Sequence, residues 1–452
     1  HTINAVLGQS AQNNMSMSNS VTRQDLVQTA GGKYLKNVSS GTDITAGSGS
    51  TSQNKLMSYF GRVNYSYDSK YLFQATMRAD GSSRFAPGNQ WGYFPSASAG
   101  WRISQEDFWN VSWMNDLKIR YSYGQLGSQN VGNYDWMSDI NSMTSYIFNS
   151  SGSATTGQAI VELANRDISW ETLEQHNFGV DMAFLNNRLL LTAEYYISHS
   201  RDCLYAQEIL KTTGATNSPM VNSASLTNKG VEVSVQWRQN VNRDFGYSVG
   251  ANFSHNKNRL DGLGYGVEEY YTTHTISRIG QPLGMYYVVL TDGLFQTDEE
   301  AAASGLTGAK AGDVHYIDYD GDGILGSGDR QIVEDKSPWP GLEASLNFTM
   351  NYRNWDMQIA GFGEFFKWVY NGWRSTLDEM SSNKVHQLRS GQNWWSASNK
   401  HNDVWYPNNR LGYTYNDNSN LDRWLERGDF FRFNTISVGY NWKPKGALGN
   451  VV

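Results

Sequence analysis

The chain has 452 residues, of which hydrophobic types make up 39 %, and no apolar run reaches the roughly 18 residues that a membrane-crossing helix needs. A single cysteine, Cys203, excludes an internal disulfide framework, and a net charge of −7 argues against a nucleic-acid partner. Aromatics reach 13 %, Gly is abundant at 44 and Pro scarce at 8, which suits strands that carry an apolar residue only at every second position, as in a transmembrane β-barrel.

Alternation of period two, the mark of a β-strand, begins with residues 2–11 and returns at 59–67. In 71–79, Tyr71, Phe73, Ala75, Met77 and Ala79 alternate with residues such as Gln74, Thr76 and Arg78. Strands follow at 93–103, 117–124, 174–185, 188–200, 229–240 and 246–256. In 342–352, Leu342, Ala344, Leu346, Phe348 and Met350 alternate with Glu343, Ser345, Asn347, Thr349 and Asn351. The last two lie at 355–362 and 430–442, which makes about twelve strands. The final one slips phase between Phe433 and Ile436, which predicts a bulge.

The connections alternate as well. Short turns are expected at Asp68-Ser69-Lys70, Asn186-Asn187, Val241–Asp244 and Arg353-Asn354. A somewhat longer link at 104–116 has room for a helical turn. The other connections are long, at about 12–56, 80–92, 128–168, 206–222, 264–340 and 372–428. Short turns at one end and long loops at the other describe an outer-membrane barrel, and a compact soluble domain rarely tolerates so many structureless loops. A soluble β-sandwich or propeller also alternates, but with shorter strands and loops. Tyr67, Tyr71, Trp101, Tyr352, Trp355 and Trp442 stand where an aromatic girdle would. Arg62, Arg78, Arg102, Arg120, Glu194 and Glu343 fall on the polar face, toward a wet lumen or a plug.

Several stretches resemble SusC/RagA-type TonB-dependent outer-membrane transporters. The most specific is Arg78-Ala79-Asp80-Gly81-Ser82-Ser83-Arg84-Phe85, followed by Trp91-Gly92-Tyr93-Phe94-Pro95-Ser96 and Gly100-Trp101-Arg102. Leu117-Lys118-Ile119-Arg120, Trp170-Glu171, Asn177-Phe178-Gly179-Val180-Asp181, Asn228-Lys229-Gly230-Val231-Glu232 and Gly312-Asp313-Val314 continue the series in the family's order. The resemblance implies an all-β, 22-stranded antiparallel transmembrane barrel, plugged by an N-terminal domain, in the outer membrane of a Gram-negative bacterium. It implies TonB-driven import of a glycan or oligopeptide nutrient under a SusD-like surface lipoprotein lid, with a possible dimer of transporter–lid pairs. The whole chain, 1–452, then reads as part of the barrel domain, roughly strands 9 to 20, with no plug or TonB box among its residues. Competing classes are a passive porin or structural outer-membrane barrel and, further off, a soluble glycan-binding or glycan-cleaving protein. No constellation for nucleophilic, metal-hydrolytic or phosphoryl-transfer catalysis is recognisable, so a non-enzymatic role is expected.

One local motif carries chemistry. Asp318-Tyr319-Asp320-Gly321-Asp322-Gly323-Ile324 fits the start of a calcium loop, with Asp318, Asp320 and Asp322 at positions 1, 3 and 5 and the Ile324 carbonyl at position 7. Position 12 is Asp329 where an EF-hand has a longer glutamate. A plain Asx/Gly turn is the alternative. The expectation is a structural Ca²⁺ that orders an extracellular loop against the lid. Trp339, Trp368, Trp373, Trp394, Trp395, Trp405 and Tyr406 crowd the long connections and their flanks. Of these, Trp339, Trp373, Trp394, Trp395, Trp405 and Tyr406 are the candidates to touch ligand or lid, by stacking on sugars or clamping peptides, unless they pack loop against loop.

Overall fold

The computed structural model describes residues 1–26, 28–29, 31–34, 44–147, 152, 154–215, 217–378, 395–402, 407, 415–416 and 420–442. Twelve long strands form one sheet in which every sequence neighbour is a spatial neighbour. They are β1 (Thr2–Arg23), β2 (Ile44–Tyr67), β3 (Tyr71–Ser82), β4 (Trp91–Arg102), β5 (Met114–Ser128), β6 (Glu171–Phe184), β7 (Leu189–Ala206), β8 (Met220–Asn240), β9 (Phe245–Gly262), β10 (Leu342–Tyr352), β11 (Trp355–Phe365) and β12 (Phe430–Tyr440). This antiparallel meander contains each of the twelve strands read from the alternation.

Several strands outrun that reading at their loop ends. β1 continues to Arg23 and β2 starts at Ile44, so the connection between them is 24–43, not 12–56. The added ladder pairs Asn14 with Asn54 and Ser18 with Ser50 on one face, and opposite Met15, Met17 and Val21 the other strand offers only Gln53, Thr51 and Gly47, so residues 47–54 carry no hydrophobic pattern although backbone pairing continues. The expected bulge is present: Ala360 pairs with Thr435 and Gly361 with Phe433, which leaves Asn434 unopposed.

The short turns fall where expected. Asp68 and Ser69 have φ of 48° and 53°, and Asn186 and Asn187 have 56° and 61°. Left-handed pairs of this kind match the twist of the strands they join. A 3₁₀ turn occupies Ile103–Gln105 in the longer link. Aromatic pairs flank this end of the strands: Tyr67 stacks on Tyr71, Trp113 on Phe184, and Trp355 lies 4.8 Å from Tyr440.

Burial is reversed relative to a soluble sheet. On β2 and β3 the large apolar side chains are the open ones, with Val63 at 45 % and Phe73 at 48 %, whereas Ser58 and Asp80 on the other face are 0 % and 7 % exposed. Arg78 Nε binds both oxygens of Asp80 at 2.9 and 2.7 Å, and its Nη2 donates to Ser58 Oγ at 3.0 Å.

Two compact units divide the chain. The first comprises His1–Gly100, Tyr121–His176 and His199–Ser225. Its buried cluster joins Phe85, Phe94, Val131, Ile168 and Trp170. Phe85 lies 5.2 Å from Trp170, and the Trp170 indole N–H donates to the Gln90 carbonyl at 3.0 Å. Arg84 donates to the carbonyls of Gln129 and Val131 at 2.9 and 2.8 Å. The family-like stretch 78–85 is thus a brace, half of it fixing the polar face of the sheet and half fixing the connections above it. The 128–168 connection also carries a hairpin, Asp139–Ile147 with Ala154–Glu162.

The second unit comprises Trp101–Arg120, Asn177–Ser198 and Leu226–Val452. Its longest connection is not structureless. Residues 263–341 hold a four-stranded sheet of Glu269–Tyr271, Thr275–Arg278, Met285–Val289 and Arg330–Ile332, and a pair, Thr291–Leu294 with Val314–Tyr316. A short helix, α1 (Asp298–Ala303), is capped by the Thr297 hydroxyl, which accepts from Glu300 N–H at 3.1 Å. Val289, Leu294, Phe295, Val314 and Tyr316 bury one another together with Trp395, Leu421 and Trp424 from the last long connection.

The cluster around Phe85 yields a test. Phe85→Ala should cost about 3–5 kcal/mol locally, read as accelerated amide exchange through residues 82–90 with the strand amides of β2 and β3 unchanged. Unaltered exchange at 82–90 would show that this ring is not the anchor.

Candidate functional site

Two sets of polar groups in the second unit are organised enough to act on something. The first lies on the polar face of the sheet. Lys118 Nζ reaches Asp181 at 2.7 Å, and Arg120 reaches the same carboxylate at 3.3 Å while also pairing with Glu194. Asn177 donates to Glu194 at 2.8 Å and Thr192 to Asp181 at 3.1 Å. Each charge is met by an opposite one across the strands, so the network stiffens the wall and leaves little unspent charge to hold a ligand.

The second is the acidic loop. Oxygen atoms from Asp318, Asp320 and Asp322 all lie within 4.8 Å of one another. The turn that gathers them is built from its own amides. Asp318 accepts from Gly321 and Gly323 N–H at 2.7 and 2.9 Å, and Asp322 accepts from Ile324 N–H at 2.7 Å. Gly323 has φ of +72°, and a Cβ there would stand 2.9 Å from the Gly305 carbonyl, so both its conformation and its surroundings require glycine. The Gly323 carbonyl in turn accepts from Thr307 N–H at 2.9 Å, which ties the loop to the chain after α1.

Charge accumulates at Asp320. The Asp322 N–H draws its carboxyl down, but local desolvation and the neighbouring charges of Asp322, Asp329 and Asp318 outweigh it and hold Asp320 above the ordinary carboxylate range. The negative charges gathered on Asp320 have no positive partner within the trio, and a hard cation supplies one.

Asp329 plays another part. It is 1 % exposed and outside the gathered trio, and its two oxygens accept from Tyr319 N–H at 2.9 Å and Gly326 N–H at 2.7 Å. The residue at position 12 is therefore a brace across the loop. Ile324 turns its side chain to solvent.

The aromatic candidates separate. Trp373 on α2 (Gly372–Asp378) is open at 81 %, and Trp339 is exposed while its indole N–H donates to the Leu283 carbonyl at 2.7 Å. Trp395 is 4 % exposed, packed in the loop core with its N–H on Gln296 at 3.1 Å, so it offers no face to a ligand. Trp394, Trp405 and Tyr406 lie outside the described residues. Sequence reasoning passed over Trp424, which is buried with the Arg374 guanidinium 5.6 Å above its ring, because nothing in its local pattern separates a core indole from an exposed one.

Comparison with known proteins agrees with this architecture. The profile for "TonB dependent receptor-like, beta-barrel" matches residues 4–322. TonB-dependent receptor P3 of Formosa agariphila is 30 % identical over 92 % of this chain and 41 % of its own length. TonB-dependent receptor SusC of Bacteroides thetaiotaomicron is 29 % identical over 88 % of this chain and 40 % of its own length. The chain thus spans about two fifths of the curated relatives it matches. Among solved structures, the RagAB peptide importer in its closed-closed state superposes with a TM-score of 0.76 at 22 % identity, over 97 % of this chain and 46 % of that one. With that profile matched over most of its length, the chain belongs to the TonB-dependent receptor-like β-barrel family.

Proposed function

We propose that this chain is barrel wall of an outer-membrane importer that takes up a glycan or oligopeptide, is driven by TonB and works beneath a SusD-like lipoprotein. The observation that carries the reading is the reversed burial of the twelve-stranded meander. Open Val63, Phe73, Val249 and Ile436 demand an apolar surrounding, while paired Arg78, Asp80, Arg120 and Asp181 occupy the other face. Six long connections leave the end opposite the short turns, and the longest is a folded body that shares a buried core with the last. A passive pore has little use for such a body, whereas an importer that closes on cargo needs a firm surface above the membrane. Likeness to proteins named SusC and RagAB peptide importer supports the substrate classes and the lipoprotein partner.

The acidic loop fits a Ca²⁺ held by the carboxylates of Asp318, Asp320 and Asp322 and the Ile324 carbonyl, with Asp329 keeping the loop in shape. The bound ion would cancel the mutual repulsion of the trio and fasten the loop to the segment after α1. The site is structural in this reading and belongs to the surface that meets the lid.

Extraction of the complete protein in mild detergent tests the importer. A stoichiometric lipoprotein should remain bound through size exclusion, and cells lacking the protein should fail to take up one class of oligomer, sugar or peptide. An intact barrel with no partner and undiminished uptake in the deletion strain would overturn the reading.

The loop makes a separate prediction with a definite sign. A carboxyl whose folded pKa is raised favours the folded loop below its ordinary value and loses that contribution as pH rises through the raised one. In chelator, the protection of the 318–329 amides relative to their intrinsic, base-catalysed exchange should therefore fall as pH rises through the raised Asp320 value, and Asp320→Asn should increase that protection at neutral pH. Added calcium should protect the wild-type loop and leave the variant little changed. Equal exchange with calcium and with chelator in the wild type would sink the metal site.

A further inference from the structure

The polar-face charges Arg78, Lys118 and Arg120 are paired with carboxylates, but a group of basic residues lies on the other face, in phase with its apolar residues. On β7 the apolar-face positions run Leu189, Leu191, Ala193, Tyr195 and Ile197. At about 3.4 Å per residue and a tilt near 40°, that stripe rises roughly 20 Å, close to the apolar height of an outer-membrane barrel. On β9 the same face carries Tyr247, Val249, Ala251 and Phe253, then changes abruptly to His255, Lys257 and Arg259. On β8, Val231 is followed toward the long connection by Lys229.

These side chains line one cleft. Lys229, His255, Lys257 and Arg259 surround a volume of about 470 Å³ whose wall includes Tyr195 and Val231, exposed at 41 % and 44 %. Its roof is the segment carrying Gly280 and Pro282. That roof is fastened to β9: Gly280 N–H donates to the Leu260 carbonyl and Leu260 N–H to Gln281, both at 2.8 Å. The buried Asn258 side chain accepts from Leu283 N–H at 2.7 Å. Arg259 is offset by Asp261 at 2.8 Å. Lys229 and Lys257 have no acidic partner among the described residues, and both are exposed. The cleft is therefore cationic, roofed, and continuous below with apolar surface.

We propose that this cleft binds the phosphorylated headgroup of an outer-leaflet glycolipid, with Lys229 and Lys257 on the phosphate and the acyl chains along Tyr195, Val231 and Phe253. The proposal rests on the outer-membrane reading above, which puts the long-connection end of the strands in the outer leaflet. Two unpaired ammonium groups at the upper edge of an apolar belt lie at headgroup depth, where an anionic lipid repays their desolvation and each contributes on the order of a few-fold in affinity. A free anion would leave the apolar wall uncovered. A lid protein would sit on the long connections rather than on the lipid-facing side of β7–β9.

The test uses the complete protein extracted in mild detergent from its native outer membrane, with co-purifying lipid counted by native mass spectrometry. Wild type should carry about one phosphorylated glycolipid per chain, K229R/K257R should keep it, and K229Q/K257Q should lose it roughly tenfold. All three should show the same heat-modifiable migration, which reports an intact barrel. Excess inorganic phosphate should not release the lipid. Equal lipid in wild type and K229Q/K257Q, release by phosphate alone, or a polypeptide rather than lipid lost from the variant would each overturn the site. Should K229Q/K257Q fail to fold, lipid absent from K229R/K257R and wild type alike would do the same. Recovery of the wild type outside the outer-membrane fraction would overturn the importer reading, whereas membrane recovery with unchanged lipid overturns the cleft alone.

Discussion

Everything in this chain depends on a backbone constraint. In the outer-membrane reading, a sheet whose apolar side chains are the open ones must satisfy its own amides and carbonyls strand to strand, because no water is available on that side to do so. Pairing then fixes the rest. Side chains alternate with period two, so a slip of one residue would carry Phe73 and Met77 to the side of Arg78 and Asp80 and turn the charges into the apolar surrounding. Register is held by devices at the strand ends: left-handed residues at Asp68 and Ser69, aromatic pairs such as Trp355 with Tyr440, and an unopposed Asn434 that absorbs a phase change inside β12.

The same constraint explains why charge is so strictly sorted. Arg78 with Asp80, and Lys118 and Arg120 with Asp181 and Glu194, are closed pairs on the polar face. Closed pairs contribute modest net stability, since desolvation offsets much of their attraction, but they are costly to break singly. They therefore serve better to fix the wall's geometry than to recognise a passing ligand. The long connections are organised differently: Phe295, Tyr316 and Trp395 give residues 263–341 and part of the last connection a common apolar core.

All twelve long strands were legible in the sequence because alternation is a property of neighbours along the chain. Their ends were not. Beyond residue 11, β1 keeps only Met15, Met17 and Val21 on its apolar face and residues 47–54 of β2 are Gly, Ser, Thr, Gln and Asn, so backbone pairing continues after the hydrophobic signal has thinned. The loop core was hidden for a different reason: Val289, Leu294, Trp395 and Leu421 are far apart and have no period, so only the folded chain brings them together. The acidic trio was legible because its spacing is local. Asp329 was not, because whether a carboxylate faces a cation or braces Tyr319 and Gly326 depends on burial, which spacing does not encode.

Parity, finally, decides what a lysine can mean here. Lys118 occupies a polar-face position and finds Asp181 across the strands. Lys229 and Lys257 occupy apolar-face positions, where no neighbouring strand among those described presents an acid to either. At mid-height such a residue would be expelled from the sequence by its desolvation cost of about 2–4 kcal/mol. At the upper edge of the stripe that cost falls to about 0–1 kcal/mol, and a cation there gains from any anion held at that depth. On the outer-membrane reading, the transition from Phe253 to His255, Lys257 and Arg259 within one strand marks the boundary of two solvents on a single face. The roof over it, tied to Leu260 and Asn258, turns that boundary from an open rim into a shaped site.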